Sequence, residues 1–198
     1  MKLVAAGAPP YLWAMQRPQF LAAGLILLGL HAAAAQPRPA HPPAHPPGPA
    51  SPRPANAARS IGKFDDWQAA THQEAGQQVC YAFTRASASA PALPGRGDVV
   101  LTVTQRSPGR DAVAISAGFA YPPGAEVQVV VDTAPLLFYT SNRSAFARDG
   151  RTVVAAFEKG RQAVAKSPGP RSMPVSDSFS LRGFGPAYAA ITKACPPR

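Results

Sequence analysis

The sequence predicts a mostly β domain: a β-sandwich-like antiparallel sheet with one short helix and a C-terminal helix. Three observations lead to this prediction. Apolar residues alternate with polar ones over several short segments, turn residues separate these segments, and helical spacing occurs in only two places. Short strands joined by Gly- and Pro-rich turns are typical of a sandwich or a curled antiparallel sheet.

The alternation is clearest in the middle of the chain. Val99–Thr104 places its valines and leucine on one face, and residues 113–119 and 126–132 alternate in the same way. The continuously apolar run 136–139 predicts a strand buried on both faces. Weaker patterns predict strands at 61–68, 77–84, 161–167 and 175–182, and turns at 107–111, 121–124 and Pro135.

Two segments have helical spacing instead. Thr152–Lys159 places its large apolar residues on one face and is followed by Gly160, a residue favoured after a helix. Pro186–Cys195 predicts a helix near the end of the chain, because proline suits a first helical turn and Pro196 follows.

The first 35 residues have the features of a cleaved signal peptide. Phe20–Leu30 is an uncharged apolar run that follows Arg17, and Ala33–Ala35 supplies small residues for cleavage. A bilayer core needs roughly 20 apolar residues, so this run predicts no stable transmembrane anchor after cleavage. Met15 offers an alternative start. The sequence therefore predicts a periplasmic or secreted protein.

Residues 36–60 form a proline-rich segment that precedes the domain predicted at 61–198. They hold nine of the 24 prolines and no aromatic or large aliphatic residue. Such a composition predicts a disordered linker that favours extended polyproline conformations. His41 and His45 could mark a metal-binding tract, but no carboxylate or thiol accompanies them, which favours spacer residues.

The domain itself is basic, with 15 Lys and Arg against 10 Asp and Glu. This charge suits an anionic partner, whereas the absence of an arginine stripe interleaved with aromatic residues predicts no binding of nucleic acid. Six basic residues form a candidate contact region, and the alternative is that they belong to an ordinary solvated face: Arg143, Arg148, Arg151, Arg161, Lys166 and Arg171.

Cys80 and Cys195 are the only cysteines of the chain, one near each end of the domain. In an oxidising compartment such a pair predicts one structural disulfide. A redox-active pair is the alternative, but these cysteines lack the C-x-x-C spacing.

The domain lacks an evident catalytic constellation. His72 is its only histidine, and no G-x-S-x-G motif occurs. Asp65 and Asp66 are adjacent, so on a strand they would point to opposite faces. Glu126 and Asp132 flank a strand, where they are interpreted as charges that prevent edge pairing. The sequence predicts a protein that is not an enzyme, with no catalytic residue, cofactor or metal.

Several short motifs follow one another in a characteristic order. These are Lys63–Trp67, Gln78–Ala82, Phe157–Gly160, Asp177–Phe184, Ala187–Ile191 and Cys195–Pro196. In this order they resemble the invasion-associated locus B family of exported bacterial proteins, over residues 61–196. The resemblance implies an exported β-rich domain and an association with entry into host cells. Some relatives carry another cysteine after the tryptophan, where this chain has Gln68–Thr71, so no second disulfide is expected.

Nine residues of this family pattern are interpreted as structural: Phe64, Asp66, Trp67, Tyr81, Asp177, Phe179, Leu181, Gly183 and Phe184. Four of them are predicted to lie in the core, since burying such side chains is strongly stabilising: Trp67, Tyr81, Phe179 and Phe184. Gly183 and Gly185 are expected to serve a tight turn, and Asp177 to cap or pair with Arg182.

The sequence therefore predicts an exported non-catalytic protein that binds an envelope component or a host surface. The alternative function is a carboxylate-based hydrolase acting on an envelope glycan or polymer, with carboxylates supplied from strand ends.

Overall fold

The computed structural model describes residues 57–197, which contain eleven strands and two α-helices. The strands are β1 Arg59–Phe64, β2 Trp67–Glu74, β3 Gln77–Arg85, β4 Ala88–Ala90, β5 Val100–Gln105, β6 Ala112–Ser116, β7 Glu126–Val131, β8 Ala134–Ser141, β9 Ser144–Ala147, β10 Gln162–Pro168 and β11 Pro174–Ser180. The helices are α1 Gly150–Lys159 and α2 Phe184–Ala194, and a single 3-10 turn covers Pro170–Ser172. The predicted signal peptide, nearly all of the predicted proline-rich linker and its two histidines lie outside the described residues.

All strands join one antiparallel sheet in the order β1-β2-β3-β5-β6-β9-β8-β7-β10-β11-β4. The sheet curls, so that β11 near one end also contacts β3. The predicted class, a mostly antiparallel β domain with a mid-chain helix and a C-terminal helix, is confirmed.

The core lies between the inner face of the sheet and the two helices. In β7, Val127, Val129 and Val131 are buried, whereas Glu126 and Gln128 are exposed, as period-2 alternation requires. Helix α2 contacts β1, β2, β3 and β5, and α1 contacts β6 and α2. The largest fully buried side chains come from both layers and include Trp67, Phe138, Phe157, Phe179 and Phe184.

Helix α1 starts two residues earlier than predicted because Asp149 caps it. The Thr152 backbone N–H donates to the Asp149 carboxylate at 3.1 Å, and the Thr152 hydroxyl donates to it at 2.6 Å. Gly160 follows the helix with extended backbone, so no left-handed cap forms. A side chain at Gly160 would instead collide with Val131. Glycine is therefore needed at this position because the chain packs closely against β7.

Hydrogen bonds and a disulfide connect the two ends of the domain. The Trp67 indole N–H donates to the Ser180 carbonyl at 3.0 Å, which links β2 to β11. Cys80 on β3 forms a disulfide with Cys195, directly after α2. The Gln78 amide and Arg110 guanidinium donate to the carbonyls of Ala194 and Cys195 at 3.1 and 2.9 Å. The predicted disulfide is therefore present, and it fixes the end of α2 against the sheet.

The predicted strand at 61–68 is wrong in its bounds. The chain turns at Asp65 and Asp66, where Asp65 has a left-handed φ of +47°, and β2 starts at Trp67. Because these carboxylates lie in a turn, the argument that they point to opposite faces of a strand does not hold. Strands β4 and β9, of three and four residues, were not predicted.

The predicted break at Pro135 is also wrong, because Pro135 lies within β8 opposite Val130. Strand β9 pairs only with residues 138–141, so no neighbour on that side needs the N–H that proline lacks. The run 136–139 is not buried on both faces, since Phe138 is fully buried while Leu137 and Tyr139 are exposed.

Glu126 and Asp132 do not protect a sheet edge, because β7 lies between β8 and β10. The pairing of Asp177 with Arg182 is also wrong. Asp177 lies inside β11 and pairs with Arg96, whereas Arg182 lies 3.5 Å from Asp66 and 3.9 Å from Asp65.

Candidate binding groove

The outward face of β8, β7, β10, β11 and β4 carries the most distinctive surface of the domain. Direct strand pairing places five residues side by side across this face: Leu137, Gln128, Lys166, Ser176 and Ala90. They line one open groove with a volume of about 620 Å³. This volume is within the range of about 300–1,000 Å³ that is typical of ligand sites.

Apolar side chains surround this row. Pro168 and Pro174 pair with each other two residues further along β10 and β11, and both line the groove. Four large hydrophobic side chains are notably exposed in residues 57–197, namely Leu137 at 51%, Tyr139 at 44%, Met173 at 39% and Ile61 at 37%. Leu137 lines the groove, Tyr139 is paired with the lining residue Glu126, and Met173 precedes Pro174. Three of the four therefore border one groove.

A buried ion pair lies beneath the wall of the groove formed by β11 and β4. Arg96 donates to both carboxylate oxygens of Asp177 at 2.8 and 2.7 Å, and the Ser89 hydroxyl donates to the same carboxylate at 2.7 Å. The two charged side chains are only 7% and 4% exposed. Arg96 also stacks on the Phe119 ring at 4.8 Å. The pair thereby ties β4 and the loop after it to β11.

Tyr121 packs beside this ion pair, in a small cluster with Phe119 and Val175. Burial raises the pKa of Tyr121 to about 12, and the nearby Asp177 carboxylate adds to the rise, while Arg96 and a hydrogen bond with Ser167 oppose it. Ser167 and Val175 also line the groove, so the buried cluster around Tyr121 packs directly behind the groove.

The charges at the groove do not cancel. Glu126 accepts a hydrogen bond from Arg148 at 2.7 Å and is thereby neutralised. The Arg148 guanidinium also lies 5.8 Å from the Tyr139 ring. Within residues 57–197, Lys166 has no carboxylate within 4 Å. Lys166 therefore leaves one uncompensated positive charge in the groove.

The six basic residues of the candidate contact region do not form one surface. Lys166 lines the groove, Arg148 borders it, and Arg171 precedes the lining residue Ser172. Arg143 donates to the Gly118 carbonyl at 2.7 Å. Arg151 is exposed on α1, and Arg161 lies at the other end of β10. The structure brings three of the six to the groove, and binding by any of them remains a prediction.

The family-pattern residues lie mostly inside the domain. Trp67, Phe179 and Phe184 are fully buried, with the Trp67 and Phe184 ring centroids 4.9 Å apart. Leu181 and Asp177 are also buried, Phe64 is half-buried and Asp66 is exposed. The prediction that Tyr81 lies in the core is wrong, because it is half-buried and alternates along β3 with the buried Cys80 and Ala82. Gly183 precedes α2 in a left-handed conformation, with φ +89°, and Gly185 lies inside the helix.

A second, polar cavity of about 360 Å³ holds both Asp65 and Asp66 in its lining. The Ser180 hydroxyl donates to Asp66 at 2.7 Å. In the described part of the chain, no group of three His, Cys, Asp or Glu residues could hold a metal ion. None of the helices in residues 57–197 is long and apolar enough to cross a membrane.

Two smaller cavities meet at Gln78. One, of about 150 Å³, is also lined by Ala57 and Arg59, and the other, of about 260 Å³, by Cys195 and Pro196. Gln78 lies on β3, near the end of the sheet where Cys80 of β3 pairs with Gln105 of β5. The binding groove opens toward the opposite end of the sheet, as strand register shows.

Sequence reasoning missed the exposed side chains of the groove. The sequence did contain a usable signal. The strict alternation of 126–131 places Glu126 and Gln128 on the outer face of the sheet, and the residues that pair with them on β8, Tyr139 and Leu137, share that face. Arg96 carried no signal, since it lies in a Pro- and Gly-rich loop without periodicity.

Comparison with known proteins agrees with the fold. The family model described as invasion associated locus B (IalB) protein matches residues 67–192, more than half of the chain. This protein belongs to the invasion-associated locus B family. The family member resembles the crystal structure of invasion associated protein b from Bartonella henselae, with a TM-score of 0.53 and 17% sequence identity, over 69% of this chain and 96% of that one. Comparison with curated proteins finds no match.

For this IalB family member, the likeness to the solved structure shows the fold. The disulfide adds an independent indication of compartment, since such bonds persist in oxidising environments.

Proposed function

We propose that this protein is exported, is cleaved after Ala35, and binds an envelope component or a host surface through the groove of β8, β7, β10, β11 and β4. One observation carries the proposal: Leu137, the most exposed large hydrophobic side chain in residues 57–197, lines the groove, and the exposed Tyr139 and Met173 adjoin residues that line it. An apolar patch with a polar border is typical of an interaction site.

Site-specific photo-crosslinking in the native bacterium tests this function. A benzophenone amino acid at position 137 should capture a partner that mass spectrometry identifies. The same probe at position 61 is the matched control, because Ile61 is similarly exposed but lies on β1. No adduct at position 137, or equal adducts at both positions, would contradict the proposal. Mass spectrometry of the purified chain should also place its first residue at Gln36.

A second candidate function is the carboxylate-based hydrolase. Asp65 and Asp66 favour it because both line one polar cavity, and paired carboxylates are the groups that glycoside hydrolysis uses. Turnover of envelope glycans by the purified protein should then be lost in Asp65→Asn and Asp66→Asn. It should persist in Asp98→Asn, which changes an exposed carboxylate paired with Arg85. Absence of turnover with the unaltered protein would dismiss this candidate.

A further inference from the structure

Three hydrogen-bond donors lie side by side at the centre of the groove. Gln128 on β7 pairs directly with Lys166 on β10, and Lys166 pairs directly with Ser176 on β11. Neighbouring strands are about 4.8 Å apart, so an amide, an ammonium and a hydroxyl occupy a row of about 10 Å. Such a row suits an anionic oxygen group, because charge-assisted hydrogen bonds from an ammonium are strong.

The surroundings of these donors are apolar. Leu137 and Ala90 occupy the two ends of the row, and Pro168 and Pro174 lie two residues further along β10 and β11. Apolar side chains therefore adjoin the polar donors across the strands and along them. A polar row beside apolar surface suits an amphiphile with a hydrocarbon chain.

The charge balance decides the sign of the ligand. Glu126 is neutralised by Arg148, and Lys166 has no carboxylate within 4 Å in the described residues. Asp132 lines the adjoining cavity of about 160 Å³, on the far side of Lys166, and forms no ion pair with it. Arg171 adds a second positive charge beside Ser172 at the border. A negatively charged head therefore complements the groove, and a positively charged one does not.

We infer that the groove binds a single anionic amphiphile, with its carboxylate or phosphate head at Gln128, Lys166 and Ser176 and its acyl chain over Leu137, Pro168 and Pro174. This inference rests on the proposed function, because it names the chemistry of the envelope component that the groove takes. The ligand is a monomeric acyl amphiphile and not a membrane surface.

Calorimetric titration with decanoate, dodecanoate and tetradecanoate, each below its micelle concentration, tests the inference. The protein is purified from a bacterium that expresses the full chain. Each two added methylenes should lower the Kd by about fourfold if the chain is half-buried and by about fifteenfold if it is fully buried. Dodecyltrimethylammonium, with the same tail and a positive head, should bind at least tenfold more weakly than dodecanoate.

Two variants and two matched controls locate the site. Leu137→Asp and Lys166→Glu should each weaken dodecanoate binding at least tenfold. Ile61→Asp and Lys63→Glu make the same changes at exposed positions on β1 and should leave the Kd within twofold. Circular dichroism should be the same for all four, because the changed side chains are exposed. Equal weakening by the controls, or a Kd independent of chain length, would overturn the inference.

Vesicles separate this inference from general basicity. Sedimentation with vesicles of phosphatidylcholine and phosphatidylglycerol, without any monomeric dodecanoate binding, would overturn it in favour of surface attraction. A protein captured at position 137 in cells, without amphiphile binding, would also overturn it and leave the proposed function standing. Loss of both the crosslink and amphiphile binding would contradict the two together.

Discussion

At the scale of single residues, Arg96 and Asp177 form the most deeply buried ion pair in residues 57–197. Taking two charges out of water is costly, and the pair is maintained because Arg96 and Ser89 saturate the Asp177 carboxylate. Removing one partner leaves the other charge buried without compensation. Loss of one partner should therefore destabilise the fold far more here than in an exposed ion pair on the surface.

We expect Arg96→Ala to lower the free energy of unfolding by about 3–5 kcal/mol, because Asp177 would remain buried and unpaired. Urea denaturation measures this loss. Arg85→Ala is the matched control, since Arg85 forms an exposed pair with Asp98, and such pairs contribute about 0–1 kcal/mol. A loss below about 1 kcal/mol for Arg96→Ala would contradict the prediction.

The raised pKa of the Tyr121 hydroxyl should make the free energy of unfolding decrease as the pH rises above 10. Below pH 10 it is protonated in both the folded and the unfolded state. Between pH 10 and about 12 the unfolded chain loses this proton while the folded protein keeps it, so the free energy of unfolding falls. The fall is at most about 2–3 kcal/mol, since one pKa unit corresponds to about 1.4 kcal/mol, and partial exposure reduces it.

We expect Tyr121→Phe to reduce this alkaline loss of stability, as measured by urea denaturation at pH 9 to 12. A residual loss should remain, because burial and a hydrogen bond with Asp111 also raise the pKa of Tyr188. An unchanged pH dependence in Tyr121→Phe would refute this assignment.

At the scale of elements, the two glycines at the start of α2 have opposite roles. Gly183 has φ +89°, and a Cβ there would collide with the Phe64 carbonyl oxygen. Gly185 lies in the helix, and a Cβ there would meet nothing within 4 Å. The tight turn before α2 therefore requires only the first glycine.

We expect Gly183→Ala to lower the free energy of unfolding by more than about 1 kcal/mol, since both the backbone angle and the close approach exclude a side chain. Gly185→Ala should raise it by about 0.4–1 kcal/mol, because alanine restricts the unfolded chain and favours helix. Thermal unfolding of the two variants measures whether their stabilities change in these opposite directions. Equal effects would show that the turn tolerates a side chain.

The elements that sequence could predict are those whose environment is uniform along their length. Strand β7 alternates strictly because one face is in the core and the other in solvent, so its pattern determines its burial. Strand β4 has only Ala, Ser and Ala, and it exists because β11 pairs with it. The predicted strand 61–68 continues through the turn at Asp65 and Asp66, because this turn uses two aspartates and no glycine or proline, and it includes only the first two residues of β2.

The groove could be predicted only in part. Lys166, Arg148 and Arg171 were identified as candidate contacts from their charge alone. The exposure of Leu137 and Tyr139 was not predicted. A continuously apolar strand has the same sequence pattern whether its outer face is covered by a second layer or exposed to solvent. Arg96 and Asp177 are 81 positions apart, and tertiary packing alone brings them together.

At the scale of the whole molecule, the disulfide closes nearly the entire domain. Cys80 and Cys195 are 115 positions apart, and a cross-link over a loop of that length restricts the unfolded chain strongly. It also holds the end of α2, whose Phe184 and Ile191 are fully buried. Stability should therefore depend on the redox state of the surroundings.

We expect Cys80→Ala with Cys195→Ala to lower the free energy of unfolding by about 4–5 kcal/mol on the loop-entropy model. Urea denaturation with and without reductant measures this. Reductant should destabilise the unaltered protein by a similar amount and have no effect on the double variant. A reductant effect on the double variant, or none on the unaltered protein, would contradict the prediction.

The meeting of two cavities at Gln78 brings Ala57 and Pro196 to the same end of the sheet. Domains whose ends leave together tolerate circular permutation and insertion into other proteins. A short linker could join Pro196 to Ala57, with new ends opened in an exposed turn. Because the groove lies toward the opposite end of the strands, the linker between Pro196 and Ala57 in such a permuted domain would lie away from the groove.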